Sequence, residues 1–345
     1  MSQYSNNPYL AHVYRNLPRV LALFDSDMTS STLGIGDRYY WAWGLIDFGN
    51  GTFQGAAHGL AILWRHGLWP YSSSKEIFLK RIHRIFIGAK SLTRPNGSME
   101  EAFPNEGSYC VTALVAFDLL CTVELLDDQI STDMKCKWIE IIRPMMRYLI
   151  AADETHAIIS NHLATSIAAL TRWHQLTQDP HAERRATTLL NRVLENQSKE
   201  GWFKEYDGAD PGYQSLCTHY LVDVHKVRPD WNLIEPLRKS IQFIWHFAHP
   251  DGSFGGLYGS RSTRFYYPSG ILALSDEIYE AKMLAAFMRR SVEDQSVVTL
   301  SAMDEPNLVP MFNSYCLAAV SDNKCNTLNS RSEIAQIPAL SHEPF

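Results

Sequence analysis

The sequence predicts an all-α fold: an α/α toroid of about a dozen helices arranged as repeated helical hairpins. Three observations carry this expectation. One loop signature recurs: NGTFQG at 50–55, NGSMEEAFPNEGSY at 96–109, EGWFKEYDGADPGY at 200–213 and DGSFGGLYGSRSTRFYY at 251–267. Each sets a polar residue and a glycine before an apolar or aromatic residue and then runs into a helical stretch. The glycines stand at 51, 97, 201 and 252, so the gaps are 46, 104 and 51, and the double gap is filled near residue 150 by AADETHAIISNHLATS, another polar loop feeding a helix. A period near fifty residues accommodates two helices and their connections, the spacing of a repeat or closed ring. Finally, no segment keeps up the apolar/polar alternation of period two that marks a strand.

Taken in order, residues 9–24 read as a first helix, followed by the Ser/Thr/Gly/Asp loop DSDMTSSTLGIGD. In GDRYYWAWGLIDFGNG, Tyr40, Trp43 and Asp47 share a face if the segment is helical, a stripe that reads first as core and second as the lining of a sugar site. Residues 53–67 and 75–92 form the next pair, with His58 as a packed helix histidine. The AHG element around it invites comparison with lanthipeptide cyclases, but the cysteine and histidine zinc ligands of those toroids have no match here. Helices at 108–127 and 131–151 follow, Pro144 kinking the second. The loop before them holds Glu100, Glu101 and Glu106, which suit either acid/base work or the dipole of a helix start. The helix opening at Asn161 pairs with an amphipathic partner at 181–197, and 213–226 pairs with 231–248. Helices at 270–294 and 306–320 complete a single domain over 1–320, leaving a polar tail at 321–345.

The chemistry concentrates in EGWFKEYDGADPGYQSLCTHY at 200–220, where Glu205, Tyr206, Asp207, Asp210, Tyr213 and His219 crowd the approach to a helix. They read either as ordinary capping residues or as a site. Arg261 and Arg264, set among Tyr258, Tyr266 and Tyr267, suit a carboxylate, phosphate or sugar, because guanidinium groups bind anions bidentately and aromatic faces stack on sugar rings.

Composition narrows the function. The chain has 345 residues, 46% of them hydrophobic, enough for a large core. A net charge of −6 without a long basic run argues against nucleic acid as partner. The apolar runs fall short of a membrane span, and the N-terminal MSQYSNNPYLAHVYRNLP lacks the regions of a signal peptide, so a cytoplasmic protein is expected. Six dispersed cysteines without a CxxC pair read as buried free thiols. No metal and no cofactor is expected, and the sequence does not fix an oligomeric state.

Asn161-His162 opening a helix, with a Gly/Asp/Pro loop ending in Tyr213 downstream, resembles the α/α-toroid domain of the heparinase and alginate lyase superfamily over roughly residues 35–290. The resemblance implies β-elimination next to a uronate carboxylate. Asn161 and His162 would then neutralise the carboxylate, helped by Arg261 or Arg264. Tyr213 would be base and acid, with His219 as a second base candidate. Glu101, Glu205, Tyr206, Asp210, Arg261, Arg264 and Tyr266 are the substrate-contacting candidates. The alternatives are an inverting glycoside hydrolase pairing Glu100 or Glu101 with Glu205, Asp207 or Asp210, a uronate epimerase, a terpene-type cyclase, and a non-catalytic toroid that binds a glycan or a partner protein.

Overall fold

A computed structural model of the chain describes residues 6–101, 106–257, 259–303 and 305–322. Thirteen α-helices dominate these residues: α1 Pro8–Ala22, α2 Arg38–Trp41, α3 Ala56–Arg65, α4 Lys75–Leu92, α5 Tyr109–Leu125, α6 Thr132–Ala151, α7 Ser160–Thr177, α8 Pro180–Glu195, α9 Pro211–Val227, α10 Ile234–Trp245, α11 Pro268–Ala273, α12 Tyr279–Glu293 and α13 Glu305–Ser321. Many start where local chemistry supplies an acceptor for the first free N–H groups. Asn7, Ser74, Ser108, Ser131, Asp179 and Asp210 each cap the helix that follows, and proline occupies the first helical position in α1, α8 and α9.

The helices close into two concentric rings. Helices α3, α5, α7, α9, α11 and α13 pack in that order around the inside, and α13 returns to α3. Helices α1, α4, α6, α8, α10 and α12 pack outside them, giving a complete α/α toroid. Sequence dictates which ring a helix joins. An inner helix is covered on nearly every side, so α5 (YCVTALVAFDLLCTVEL) is almost wholly apolar. The outer α8 buries only Ala182, Ala186, Leu189, Leu190 and Val193, a stripe at helical spacing. An outer helix returns the chain before each inner one, so the inner helices run the same way and the loops preceding them gather at one mouth, where Ser160 N bonds Lys204 O and Ser260 N bonds Ala209 O.

Three expectations need correction. The stretch 270–294 is two helices, α11 and α12, joined by a tight turn, and the short α11 lets Gly270 lie so close to α9 that a Cβ there would stand 2.7 Å from His219 Cα. The aromatic stripe at 40–47 is not one helix face. Only Arg38–Trp41 is helical, Gly44 adopts φ +57°, and Trp43 is 53% exposed, edge-on to Tyr39 with the Arg38 guanidinium over its ring. A short antiparallel pair, Met99–Glu100 with Gly107–Ser108, stands at the mouth where none was expected. Pro144 lies within α6, which continues to Ala151. The five described cysteines are unpaired. Tyr258 and nearly all of the predicted tail, residues 323–345, lie outside the described residues. Among the described residues no helix is long and apolar enough to cross a membrane.

Candidate functional site

The mouth is best built from the first turns of α7 and α9, neighbours in the inner ring. The segment entering α7 pairs with the 204–206 stretch: Ser160 N donates to Lys204 O at 2.9 Å, and Tyr206 N to Ile158 O at 3.0 Å. Tyr206 takes φ +58°, the left-handed turn that allows this pairing and the return bond from Glu205 N to Gly208 O. Asn161, His162, Glu205 and Tyr206 are thereby fixed relative to one another.

Helix α7 lacks a side-chain cap of its own. Glu205 supplies one from 44 residues away, its Oε1 accepting from Asn161 N at 2.9 Å and its Oε2 from Asn161 Nδ2 at 2.7 Å. Burial pushes the Glu205 carboxyl up to about 8, against the lowering effect of the two Asn161 donors; Asp210 raises it further and Arg261 lowers it. Glu205 is therefore a correction: it is 1% exposed and holds Asn161 rather than facing a substrate. Asn161 itself is 3% exposed, with one amide N–H committed to Glu205.

His162 is held by Glu154, whose Oε2 stands 2.7 Å from His162 Nδ1 while its Oε1 stands 2.9 Å from His156 Nδ1. Burial alone would raise Glu154, yet hydrogen bonds and charge from the two histidines bring it down to about 2. An ionised carboxylate beside Nδ1 favours the tautomer that carries its proton there, which leaves Nε2 as the ring nitrogen not engaged by Glu154. His156, mostly exposed, is raised by Glu154, and its Nε2 lies 3.7 Å from Glu106.

Tyr213, in the first turn of α9, points its hydroxyl at Asn307 Oδ1, 3.5 Å away, an acceptor that also takes Tyr267 Oη at 3.2 Å. The Arg261 guanidinium lies over the rings of both Tyr206, at 4.8 Å, and Tyr213, at 5.5 Å, and donates to the Tyr206 hydroxyl. Glu101 accepts from the Ser108 hydroxyl at 2.7 Å. Glu101, Glu154 and Glu205 all act on the Cys110 thiol, which desolvation pushes well above its ordinary value and Arg261 opposes. Arg264 faces solvent.

Three further candidates sit differently from expectation. Asp210 is fully buried, its Oδ1 taking Gly212 N and Tyr213 N, both at 3.0 Å, and the Thr263 hydroxyl, and its Oδ2 taking Arg261 N at 2.9 Å. It caps α9 and ties the Arg261 loop to it, with no oxygen left for substrate. Tyr266 is 2% exposed and bonds Met288 O and the Ser291 hydroxyl, so it belongs to the core. His219 keeps part of its ring accessible but lies deep inside the helix ring, against Ser269 Oγ at 2.9 Å, where desolvation pushes it down to about 4. So weak a base suits His219 poorly for proton abstraction near neutral pH.

The family described as Ulvan lyase N-terminal domain matches residues 72–273, more than half of the chain. The chain belongs to this family. The matched span of this Ulvan lyase N-terminal domain member runs from the start of α4 to the end of α11 and holds every mouth residue named above except Asn307. The resemblance to the heparinase and alginate lyase superfamily holds at the level of the α/α toroid shared by carbohydrate-active enzymes. No curated protein matches the sequence. Solved structures of similar shape include a cellobiose 2-epimerase from Bacillus thermoamylovorans B4167, 11% identical, TM-score 0.63, covering 92% of this chain and 98% of that one. A polysaccharide lyase, 11% identical, aligns with TM-score 0.58 over 84% and 94%. A family 76 glycoside hydrolase from a bovine Bacteroides thetaiotaomicron strain, also 11% identical, aligns with TM-score 0.59 over 92% and 79%. At such identities the likeness is one of fold.

Sequence reasoning missed Glu154, His156 and Asn307. The spacing E-T-H…N-H at 154–162 is a signal that could have found the first two, since one acidic residue stands two and eight positions before a histidine. Asn307 comes from α13, 94 residues beyond Tyr213, and no local pattern announces it.

Proposed function

We propose that the protein is a saccharide lyase that cleaves a uronate-containing chain by β-elimination. The observation that supports this reading best is the His162–Glu154 pair: an ionised carboxylate at Nδ1 fixes the ring and leaves the opposite nitrogen to serve as a general base. His162 Nε2 takes the proton on the carbon next to the uronate carboxylate. Arg261 and the second amide hydrogen of Asn161 neutralise that carboxylate as charge builds on it. The bond from the β-carbon to the glycosidic oxygen then breaks, the electron pair of the C–H bond becoming the new C=C. The Tyr213 hydroxyl gives its proton to the departing oxygen. One product is an unsaturated uronate and the other carries a new reducing end.

A hydrolase would need two carboxylates facing the substrate; Glu205 and Asp210 are taken up by Asn161 and the α9 cap, which leaves the exposed Asp207 as the partner for Glu100 or Glu101 in that reading. A uronate-containing oligosaccharide panel, followed by near-ultraviolet absorbance and by reducing ends in parallel, tests the proposal with His162→Ala and Tyr213→Phe as variants. Absorbance rising together with reducing ends, and lost in both variants, is the expected result. Reducing ends without absorbance would mean hydrolysis, and hydrogen exchange at the same carbon without chain cleavage would mean epimerisation; either outcome overturns the lyase assignment.

A further inference from the structure

A second feature lies away from the mouth and shares no residue with it. Between the loop after α1 and the flank of α4 is a cavity of about 260 Å³, lined among others by Asp25, Gly34, Lys80, Arg81, Arg84 and Ile85. The loop is drawn tightly onto the helix. Gly34 adopts φ +81°, and a Cβ there would stand 1.8 Å from Arg84 O. The buried Gln54 fastens both sides, donating to Gly34 O at 3.0 Å and Ile85 O at 2.7 Å and accepting from Gly36 N at 2.8 Å.

Three cations meet in this cavity, and among the described residues none of them makes an ion pair. By contrast, Arg65, Arg94, Arg143, Arg172, Arg228 and Arg289 each sit on a carboxylate. The one carboxylate in the lining, Asp25, is already engaged, by Asp27 N at 2.9 Å and the Thr32 hydroxyl at 2.8 Å. Arg84 Nε is buried without a hydrogen-bond partner, and one of its terminal nitrogens reaches only the Met28 sulfur, at 2.7 Å. Burial and the neighbouring Arg84 both lower the Arg81 guanidinium. Arg81 and Arg84 are half-buried, with Lys80 exposed at the rim; like charges gathered at one cavity repel one another and the Arg84 Nε donor goes unused, which an oxyanion relieves at both points.

We propose that this cavity is a binding site for a tetrahedral oxyanion, a phosphate or sulfate group that is free or carried as an ester. The guanidinium groups of Arg81 and Arg84 hold it by paired N–H···O bonds and Lys80 adds a third charge from the rim. The volume is below that of drug-sized pockets, and suits one such group with a few waters. Binding links the 24–36 loop to α4 and stabilises the folded chain by mass action.

Calorimetric titration and thermal melts of the full chain in sodium sulfate, sodium phosphate and sodium chloride at equal ionic strength test this, repeated with Arg81→Gln and Lys80→Gln. Sulfate stabilises proteins generally, so the variants carry the discrimination. Saturable heat with sulfate or phosphate but not chloride, weakened at least tenfold in Arg81→Gln, is the expected result. Glucose 6-sulfate and glucose 6-phosphate in the same titration separate a site for esters from a site for the free ion. Absence of saturable heat, or an equal rise in melting temperature in wild type and Arg81→Gln, overturns the proposal. Arg81 is partly exposed on an outer helix, so its replacement leaves a folded protein to measure.

Discussion

Glu154 and Glu205 are two buried carboxylates pushed in opposite directions, and each gives a prediction with its own sign. Glu154 is depressed to about 2 by its two histidines, so its contribution to stability is present above the unfolded carboxyl range, about 4.5, and is lost as pH falls through about 2. Glu154→Gln is expected to flatten the loss of stability of the wild type across that acid window, measured by urea unfolding at a series of pH values. The same substitution deprives His162 of its anchor, and turnover is expected to drop about 10- to 100-fold with KM little changed, by analogy with carboxylates that orient other histidines. A change confined to KM would argue against the positioning role. Glu205 runs the other way. Its folded value near 8 lies above the unfolded one, so stability is full below about 4.5 and declines as pH rises toward 8, at about 1.4 kcal/mol per unit. Glu205→Gln is expected to remove that decline and to misplace Asn161, whose N–H groups now meet an amide. A wild type whose stability is flat from pH 5 to 8 would show that the two Asn161 donors and the α7 N-terminus outweigh burial. That Asn161, His162 and Tyr213 stand in the first turns of two helices was legible in the sequence, because a polar pair before an apolar helix, and a Gly/Asp/Pro loop ending in tyrosine, are local patterns. What Glu205 and Asp210 do was not legible, since a carboxylate reaching 44 residues to cap another helix looks the same in sequence as one facing a ligand.

At the scale of elements, helix starts were more legible than the break inside the stretch 270–294, expected as one helix and found as two. Ser74, Ser131 and Asp210 stand at their caps with apolar periodicity following, and the expected 75–92, 131–151 and 213–226 agree with the observed helices within two residues. The α11–α12 turn escaped notice because its residues, LSDEI, contain neither glycine nor proline to mark a break. The cap at Asp210 has a measurable worth. One carboxylate serves two α9 amides, the Thr263 hydroxyl and Arg261 N, so it fastens the arginine loop to the helix that carries Tyr213. Asp210→Ala is expected to destabilise the fold by about 2 kcal/mol or more, above an ordinary lost cap because buried donors are stranded. Asp210→Asn, which keeps an acceptor for the cap, is expected to recover part of this. If urea unfolding places both variants within 0.5 kcal/mol of wild type, the loop is held by other contacts.

At the scale of the whole molecule, the ring stands or falls on its closure, where the last inner helix meets the first. Asn313 on α13 accepts from Gly59 N at 2.9 Å and donates to Gly55 O at 3.0 Å, and Asn7 at the start of α1 donates to Ala319 O at 2.8 Å. The fifty-residue period announced a ring, but not how it closes, because the contacts pair residues more than 250 positions apart and have no local signature. Gly59 measures the closeness of that seam. A Cβ there would stand 2.5 Å from Phe312 Cε1 and 2.6 Å from Asn313 Oδ1, and the Phe312 ring is fully buried with nowhere to retreat. Glycine inside a helix ordinarily costs about 1 kcal/mol relative to alanine, so propensity alone makes Gly59→Ala stabilising. Overpacking a closed core costs about 1–3 kcal/mol, which outweighs that gain and reverses the sign. Gly59→Ala is therefore expected to lower the unfolding free energy by a net amount up to about 2 kcal/mol, seen as a lower urea midpoint with an unchanged m-value, since the ring still closes. A lower m-value would mean that the seam opens before the rest of the ring unfolds. A raised midpoint would mean that α3 and α13 are not in contact as described, and the closed ring would have to be given up.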